Sequence, residues 1–349
     1  MSETEVTTLE YIPVDALRGE SKTLEAFGCL PAVRHRCDAP DLRAINVALA
    51  ARRPLLIKGE PGTGKSQLAR AAAFLLGRNF VWRVMNANTT IDDLFYDFDA
   101  VGRLAQAQVM GALAANKGLS PQEIEARLDE RRFVTPGVLW RAFDRGGAKT
   151  WLHEHGERSW IHEAETERPY VVLIDEIDKT DPSVPNGLLE ALGQGTFSVL
   201  RDKGTVSLPK GNHQPLIIIT TNEERELPAA FVRRCMVHHM RVPGPGDEDP
   251  SLEDWLVERG RTHFEDAGLS DELLRNAAHQ VAMDRRRALD EALPPPGQAE
   301  YLDLLRALSE LGKDLDDDGK GALLAEIKDL ALCKHVDPRE RNVKHGGRA

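Results

Sequence analysis

The stretch PLLIKGEPGTGKSQLARAAAFLLG, residues 54–77, decides the fold of this 349-residue chain. It begins with a short apolar run that is typical of a buried strand. A glycine-rich turn comes next, and the segment KSQLARAAAFLL then has helical spacing and ends before Gly77, the predicted C-cap. A strand and a helix joined by such a turn predict an α/β domain with a parallel sheet.

The turn, GEPGTGKS at 59–66, has the residues that a phosphate site needs. Its three glycines let the backbone curl, so that successive N–H groups point at phosphate oxygens beside the positive end of the helix. Lys65 is expected to reach the β- and γ-phosphates, and the Ser66 hydroxyl is a predicted ligand of Mg²⁺. The residues predicted to bind the nucleotide are Gly59, Glu60, Pro61, Gly62, Thr63, Gly64, Lys65, Ser66 and Gln67.

A second signal is VVLIDEID, residues 171–178, an apolar run that ends in acidic residues. A carboxylate at the end of a buried strand is costly unless it has a function, such as holding a hydrated metal ion. We therefore predict that Asp175 binds Mg²⁺ through water and that Glu176 polarises a water molecule that attacks the γ-phosphate.

The alternation of strands and helices continues to about residue 243. FVWRVM, PYVVLIDEID and PLIIITTN are predicted strands, and TFSVLRDKGTVSLP has the pattern of a hairpin. Residues 91–132 and 148–168 are predicted to be irregular. The exception is the helix in SPQEIEARLDERR, where Ser120 and Glu123 form a capping box.

The composition changes at RVPGPGDEDP, where prolines, glycines and acids predict a linker. Three or four segments beyond it have helical spacing and none has a strand pattern. We predict an N-terminal lead-in (1–35), an α/β nucleotide-binding core (36–243) and a smaller helical domain with a basic C-terminal tail (244–349).

Charge and composition exclude several classes of protein. The net charge is −11, and residues 246–337 carry 23 acidic against 11 basic side chains, so the chain lacks the basic body of a dedicated nucleic-acid binder. No apolar run approaches the roughly 20 residues of a membrane span. The acidic N-terminus does not resemble a signal peptide, and the four cysteines show no CxxC spacing. We expect a soluble, cytoplasmic protein.

Four segments in this order resemble the AAA+ ATPases: GEPGTGKS, VVLIDEID, IIITTN and LPAAFVRRC. Two more are similar to the MoxR-type branch of that family, namely GLLEALGQGTFSV (187–199), with its hairpin insertion, and TTIDDLFYDFDAVGRL (89–104). The resemblance covers about residues 36–340. It implies a P-loop NTPase sheet with flanking helices, followed by a helical lid, and it implies Mg²⁺-dependent hydrolysis of ATP.

The resemblance also implies roles for matching residues. Asn222 is similar to sensor 1, which positions the attacking water together with Glu176. Arg234 lies at the position of the arginine finger, with Arg233 beside it. Such an arginine acts on the neighbouring subunit's nucleotide, which implies a ring, with a hexamer as the expected form. MoxR-type relatives act as chaperones with von Willebrand A-domain proteins, so a partner of that class is implied.

One part of the chain departs from the family pattern. Relatives carry an arginine, sensor 2, at the start of a lid helix after a proline-rich turn. Here Gln298, Ala299 and Glu300 follow the turn, and none of them is a cation. Arg306 or an arginine of the run 285–287 is a candidate substitute, and the sequence does not choose between them.

Two alternatives stay open at this point. The first is an AAA+ motor that acts on nucleic acid in a restriction or defence complex, for which the basic tail (Arg339, Arg341, Lys344, Arg348) leaves room. The second is a nucleotide-gated scaffold with little turnover, which the missing sensor 2 arginine favours.

Overall fold

The computed structural model describes residues 8–28, 30–117, 120–155, 167–200, 204–208, 214–244 and 250–332. Its contacts divide these residues into two compact units. The first unit draws on Met1–Val14, Pro40–Lys58 and Ala69–His238, and the second on Asp15–Ala39, Gly59–Leu68 and His239–Ala349. The predicted boundaries at 35/36 and 243/244 stay a prediction.

The elements alternate as expected in the first two thirds of the chain. The strands are β1 (Ser21–Leu24), β2 (Val33–Arg36), β3 (Leu55–Lys58), β4 (Asn79–Val84), β5 (Tyr96–Phe98), β6 (Val134–Pro136), β7 (Tyr170–Asp175), β8 (Thr196–Val199), β9 (Gly204–Ser207), β10 (Leu216–Thr221) and β11 (Met236–His239). The helices are α1 (Val14–Leu17), α2 (Ala39–Ala51), α3 (Lys65–Leu76), α4 (Asp92–Phe95), α5 (Ala100–Lys117), α6 (Pro121–Arg127), α7 (Val138–Phe143), α8 (Arg145–His155), α9 (Ser183–Gln194), α10 (Ala229–Val232), α11 (Leu252–His263), α12 (Asp271–Asp290), α13 (Gln298–Leu311) and α14 (Asp317–Leu332).

A five-stranded sheet in the order β11–β3–β10–β7–β4 forms the centre of the first unit. The pairs β3–β10, β10–β7 and β7–β4 are all parallel. Strands β7 and β10 are buried along almost their whole length, as apolar runs are in a sheet covered by helices on both faces. This confirms the predicted fold class, a P-loop parallel sheet with flanking helices.

The structure confirms several local predictions at the ends of helices and strands. The α6 capping box forms as predicted, because the Glu123 N–H donates to Ser120 Oγ at 3.2 Å and the Ser120 N–H donates to Glu123 Oε2 at 2.8 Å. Gly77 ends α3 with φ of 61°, the left-handed conformation of a C-cap. Strands β8 and β9 pair antiparallel, which confirms the hairpin, and its turn at 201–203 lies outside the described residues.

The prediction of two irregular stretches was wrong. Residues 100–117 form α5, an 18-residue helix, and α8 extends through residue 155. Residues 156–166 of the second stretch lie outside the described residues. Helix α5 is rich in alanine, which has the highest helix propensity, and it contains no proline. Composition was therefore the available signal for α5.

The second unit contains the four C-terminal helices, α11–α14, which confirms the predicted helical region. One apolar cluster joins all four of them. Tyr301 lies at its centre, fully buried, and its hydroxyl donates to the carbonyl oxygen of Leu274 at 3.2 Å. The buried members are Leu256, Val257, Leu274, Ala277, Ala278, Val281, Tyr301, Leu304, Leu305, Leu308, Leu324, Ile327 and Leu332.

The β1–β2 hairpin belongs to the same unit and packs against α11. Arg36 pairs with Glu258 at 2.9 Å, and Arg259 pairs with Asp38. At the end of α11, the pKa of His263 is lowered to about 4, chiefly by burial and to a smaller extent by the positive charges of His35, Arg259, Arg306 and Arg34. The imidazole of His263 is therefore neutral in the folded protein at neutral pH.

Within the residues that the structure describes, we find no helix with the length and apolarity that crossing a membrane requires.

Candidate nucleotide site

The glycine-rich turn starts directly after β3 and leads into α3, as the sequence predicts. Gly62 and Gly64 have φ of 77° and 94°, which an L side chain rarely adopts, so the turn requires glycine at both positions. Lys65, the first residue of α3, is largely buried. Its ammonium donates to the carbonyl oxygens of Gly59 and Glu60, each at 2.7 Å. The turn therefore holds its own lysine in a fixed position.

Three further residues that the sequence predicts to bind nucleotide, Thr63, Ser66 and Gln67, lie next to Lys65 in the turn and at the start of α3. Thr63 is buried and donates through its hydroxyl to the carbonyl oxygen of Glu60 at 3.0 Å. Ser66 follows Lys65 in the first turn of α3. Gln67 has a buried side-chain oxygen with no hydrogen-bond partner among the described residues. An unpaired buried acceptor is costly, and the role of Gln67 in nucleotide binding stays a prediction.

Within the first unit, the acidic residues at the carboxyl end of β7 meet the end of β10. Ile219 lies opposite Ile174 in the parallel register, which brings the next residues, Thr220 and Asp175, side by side at the carboxyl ends of the strands. The Thr220 hydroxyl donates to Asp175 Oδ1 at 2.5 Å. The Thr220 hydroxyl oxygen also accepts the backbone N–H of Glu176 at 2.9 Å. One threonine hydroxyl thus joins both acidic residues.

Glu176 lies in the left-handed region, with φ of 60° and ψ of 49°. This conformation is uncommon for a residue other than glycine, asparagine or aspartate, and such positions cluster at functional sites. Asn222 Nδ2 donates to Glu176 Oε1 at 3.2 Å, and Lys179 Nζ donates to Oε2 at 2.7 Å. The hydrogen bond to Glu176 raises the pKa of Lys179. The structure therefore brings Asp175, Glu176 and Asn222 together.

Sequence reasoning missed three residues of this cluster: Thr220, Lys179 and Asp178. Asp178 is buried and accepts the backbone N–H of Glu224 at 3.0 Å, which ties the loop after β10 to the end of β7. A signal was present for Thr220, because IIITTN places a hydroxyl at the end of a strand that is otherwise apolar. No local pattern indicated the role of Lys179.

The two predicted arginines follow α10, and both are exposed. The carbonyl oxygen of Arg233 accepts a hydrogen bond from Arg53 at 3.5 Å. The side chains of Lys58, Arg225 and Arg233 are among those that line a cavity of about 500 Å³ in the first unit. An exposed arginine in this position is available to a neighbouring molecule, as an arginine finger requires.

The candidates for a lid arginine differ sharply in their surroundings. Arg306 pairs with Asp303 of its own helix, and Arg287 pairs with Glu291. Arg285 is buried and bonds Glu60 of the glycine-rich turn. Of these three, only Arg285 reaches the turn.

The donor set suits a cation that arrives with its nucleotide. In the described part of the chain, no group of three or more His, Cys, Asp or Glu side chains could hold a metal ion by itself. The predicted ligands, the Ser66 hydroxyl and the Asp175 carboxylate, are oxygen donors of the kind that Mg²⁺ takes together with water and phosphate.

Comparison with known proteins identifies the family of the chain. The family model described as AAA domain (dynein-related subfamily) matches residues 54–235, just over half of the chain. The chaperone protein ClpB of Agrobacterium fabrum is 29% identical over 191 residues, which are 54% of this chain and 18% of ClpB, so the chain spans a small part of that relative. Among solved structures, a point mutant of RuvB from Thermotoga maritima has a TM-score of 0.45 and 13% identity, covering 87% of this chain and 73% of RuvB. The family match extends from β3 through the glycine-rich turn to the arginines after α10, and the chain therefore belongs to the AAA family, in its dynein-related subfamily.

Proposed function

We propose that this AAA chain is a MoxR-like ATPase that hydrolyses ATP in a ring, in the cytoplasm, and uses the energy to remodel a partner protein. The observation that carries the hydrolytic part is the cluster at the ends of β7 and β10. Thr220 holds Asp175 and the backbone of Glu176, and Asn222 holds the Glu176 carboxylate. Such a cluster orients a carboxylate toward a single water molecule.

Each residue has a distinct part in the proposed reaction. The turn residues 59–67 bind the phosphates through backbone N–H groups and Lys65. Ser66 and Asp175 hold Mg²⁺, which supplies neutralisation of the phosphate charge when it is bound with ATP. Glu176 polarises the attacking water, and Asn222 fixes the direction in which that carboxylate points.

Replacing Glu176 tests hydrolysis directly. Glu176→Gln keeps the size of the side chain but removes the negative charge, so we expect nucleotide binding to persist and turnover to fall by about 100-fold or more. Glu190→Gln is the matched control, since Glu190 is an exposed residue of α9 outside the cluster. Hydrolysis by Glu176→Gln at the wild-type rate would show that another residue activates water.

The ring is tested by mixing two inactive variants. We propose that Arg234 completes the site of the neighbouring subunit, which its exposure supports. Arg234→Ala and Glu176→Gln should each be inactive alone, whereas a mixture should regain activity, because some interfaces then combine an intact arginine with an intact glutamate. Arg233→Ala serves as the comparison. A mixture without activity, from variants that still assemble, would contradict action between subunits.

The remodelling role is supported by an exposed surface on α5. Val101, Leu104, Ala105 and Val109 recur at helical spacing and face solvent, with Val101 79% exposed and Leu104 61% exposed. We name these four residues the α5 stripe. Because the stripe carries no cation, it is suited to an apolar protein surface rather than to a phosphate backbone.

Capture from extract separates this role from the nucleic-acid alternative. Tagged Glu176→Gln protein is incubated with Mg·ATP, and bound molecules are eluted when nucleotide is removed. A von Willebrand A-domain protein would support the proposal, and its loss on Leu104→Glu would place the contact on the α5 stripe. Recovery of a nuclease or of nucleic acid would favour the motor that acts on nucleic acid.

A further inference from the structure

An ion pair between a buried arginine and a partly exposed glutamate joins α12 to the glycine-rich turn within the second unit. Arg285 has only 5% of its side chain exposed. Its guanidinium donates to both carboxylate oxygens of Glu60, at 2.6 and 2.9 Å, and to the carbonyl oxygen of Pro296 at 3.1 Å. This is the bidentate geometry that arginine forms with a carboxylate and that lysine cannot reproduce.

Arg285 has little contact with water, so the stability of its charge depends on the groups that it contacts. Its Nε is buried without a hydrogen-bond partner among the described residues, so the guanidinium depends on Glu60 and Pro296. Removing Glu60 leaves the buried guanidinium without its counter-charge, which is unfavourable. Glu60 therefore stays close to Arg285 as long as this part of α12 and the turn keep their structure.

Glu60 also contacts the residue that is expected to bind phosphate. Its backbone carbonyl accepts from Lys65 Nζ at 2.7 Å and from the Thr63 hydroxyl at 3.0 Å. The side chain of Glu60 thus reaches the lid helix, while its backbone reaches Lys65. Glu60 therefore contacts both Arg285 of α12 and Lys65 of the turn.

A second contact lies where relatives carry the sensor 2 arginine. A Cβ placed on Gly62 would lie 2.6 Å from the Cβ of Ala299, so α13 approaches the turn closely and only small residues fit. In this chain, Ala299 of α13 packs closely against the turn, whereas the positive charge that contacts the turn comes from Arg285 of α12. A larger cationic side chain at 299 has no space in this arrangement.

We propose that Arg285 and Glu60 form a positioning pair that couples the lid to the nucleotide-binding turn and so replaces an arginine at the start of α13. This inference rests on the proposed function, since it assigns the pair to nucleotide binding. The pair holds the turn in the conformation that receives phosphate. Its loss weakens nucleotide affinity more than it slows the chemical step.

A double-mutant cycle on the full chain tests the pair. The variants are Glu60→Gln, Arg285→Met and the two combined, and the probe is a fluorescent, non-hydrolysable ATP analogue with Mg²⁺. Arg306→Met is the matched control, because Arg306 is an exposed lid arginine whose partner is Asp303. Each single variant should weaken binding by about tenfold, and the combined variant should be no weaker than the worse single one. The control should stay within about twofold of wild type.

Two outcomes would overturn the inference: additive losses in the combined variant, or wild-type affinity in a folded Glu60→Gln protein. If Arg285→Met fails to fold, Glu60→Gln still tests the inference, because the Glu60 side chain is 45% exposed. A structural role alone would lower stability without changing the ratio of KM to kcat, whereas positioning should raise KM for ATP and change kcat less. If wild type binds the analogue but does not hydrolyse ATP, the proposed function fails while the cycle still decides the pair.

Discussion

Replacing Thr220 by valine removes one hydroxyl and almost nothing else, because the two side chains have nearly the same volume. Thr220 is fully buried at the end of β10. Its hydroxyl donates to Asp175 at 2.5 Å and accepts from the Glu176 N–H at 2.9 Å. The substitution therefore removes the hydroxyl that holds both acidic residues and leaves the sheet in place.

The magnitude follows from the two hydrogen bonds. A hydrogen bond to a charged group contributes about 1.5–3 kcal/mol, and an unsatisfied N–H costs about 1–3 kcal/mol. Because both bonds share one oxygen, we expect the free energy of unfolding to fall by about 2–3 kcal/mol rather than by the full sum. A carboxylate displaced by about 1 Å costs up to 100-fold in rate, so kcat for ATP should fall by about 10- to 100-fold.

The neighbouring residue supplies a matched control. Thr221 is also buried, and among the described residues the hydrogen bond of its hydroxyl is the one that it accepts from the Glu223 N–H, at 2.9 Å. Successive strand residues point to opposite faces, so Thr221→Val makes the same chemical change away from Asp175 and Glu176. We expect it to lower the free energy of unfolding by about 1 kcal/mol and to change kcat by less than about threefold.

The assay combines urea unfolding with steady-state hydrolysis at saturating ATP. Thr220→Val should lower kcat and leave KM within about threefold of wild type, which separates positioning of the water-activating group from nucleotide binding. The reasoning is refuted if Thr220→Val keeps the wild-type kcat, or if both valine variants lose kcat equally.

Three further predictions concern packing, pH and the partner of the proposed base. Gly260→Ala in α11 should destabilise the protein by about 1–3 kcal/mol despite the higher helix propensity of alanine, because the new Cβ would lie 2.5 Å from the Tyr301 hydroxyl oxygen. Adding Tyr301→Phe should recover part of that loss in urea unfolding, and additive losses would contradict the contact. The pKa of His263 is lowered to about 4, below its ordinary value, so the unfolded chain binds the proton first and stability should fall as pH drops from about 6.5 toward 4. Allowing for solvent screening, the protonation of His263 should cost about 1 kcal/mol of the free energy of unfolding by about pH 5. His263→Gln should make the free energy of unfolding less dependent on pH in this range, and an unchanged dependence would assign the loss to another group. Lys179→Met should raise kcat, by at most about fivefold, because it removes the ammonium that holds Glu176, whereas Lys179→Arg should not; a lower kcat in Lys179→Met would show that the ion pair assists catalysis.

Strong local patterns made much of the fold predictable. Strands β3, β7 and β10 are apolar runs buried on both faces, and such runs need no information about distant residues. The helices α11–α14 were predicted from their spacing alone. Helix α5 was missed because much of its apolar spacing faces solvent, on the α5 stripe, rather than a core.

The candidate site was predictable only in part. Lys65, Asp175 and Glu176 occur in motifs whose spacing predicts the chemistry proposed for them. Thr220 lies 45 residues after Asp175 and meets it only because β10 and β7 pair in one particular register. A shift of one residue would turn that hydroxyl to the other face of the sheet.

The sequence by itself determined the glycine-rich turn, the acidic end of β7 and the succession of a sheet and a helical region, because each depends on consecutive residues whose backbone preferences and spacing act locally. Only the tertiary structure decided which lid arginine meets the turn. Arg285 and Glu60 are 225 residues apart in the chain. Arg285, Arg286 and Arg287 are three consecutive arginines, and the sequence does not distinguish among them. Burial separates them: α12 turns Arg285 inward, where a guanidinium without a carboxylate partner is unstable, and Glu60 is the carboxylate that the fold brings to it.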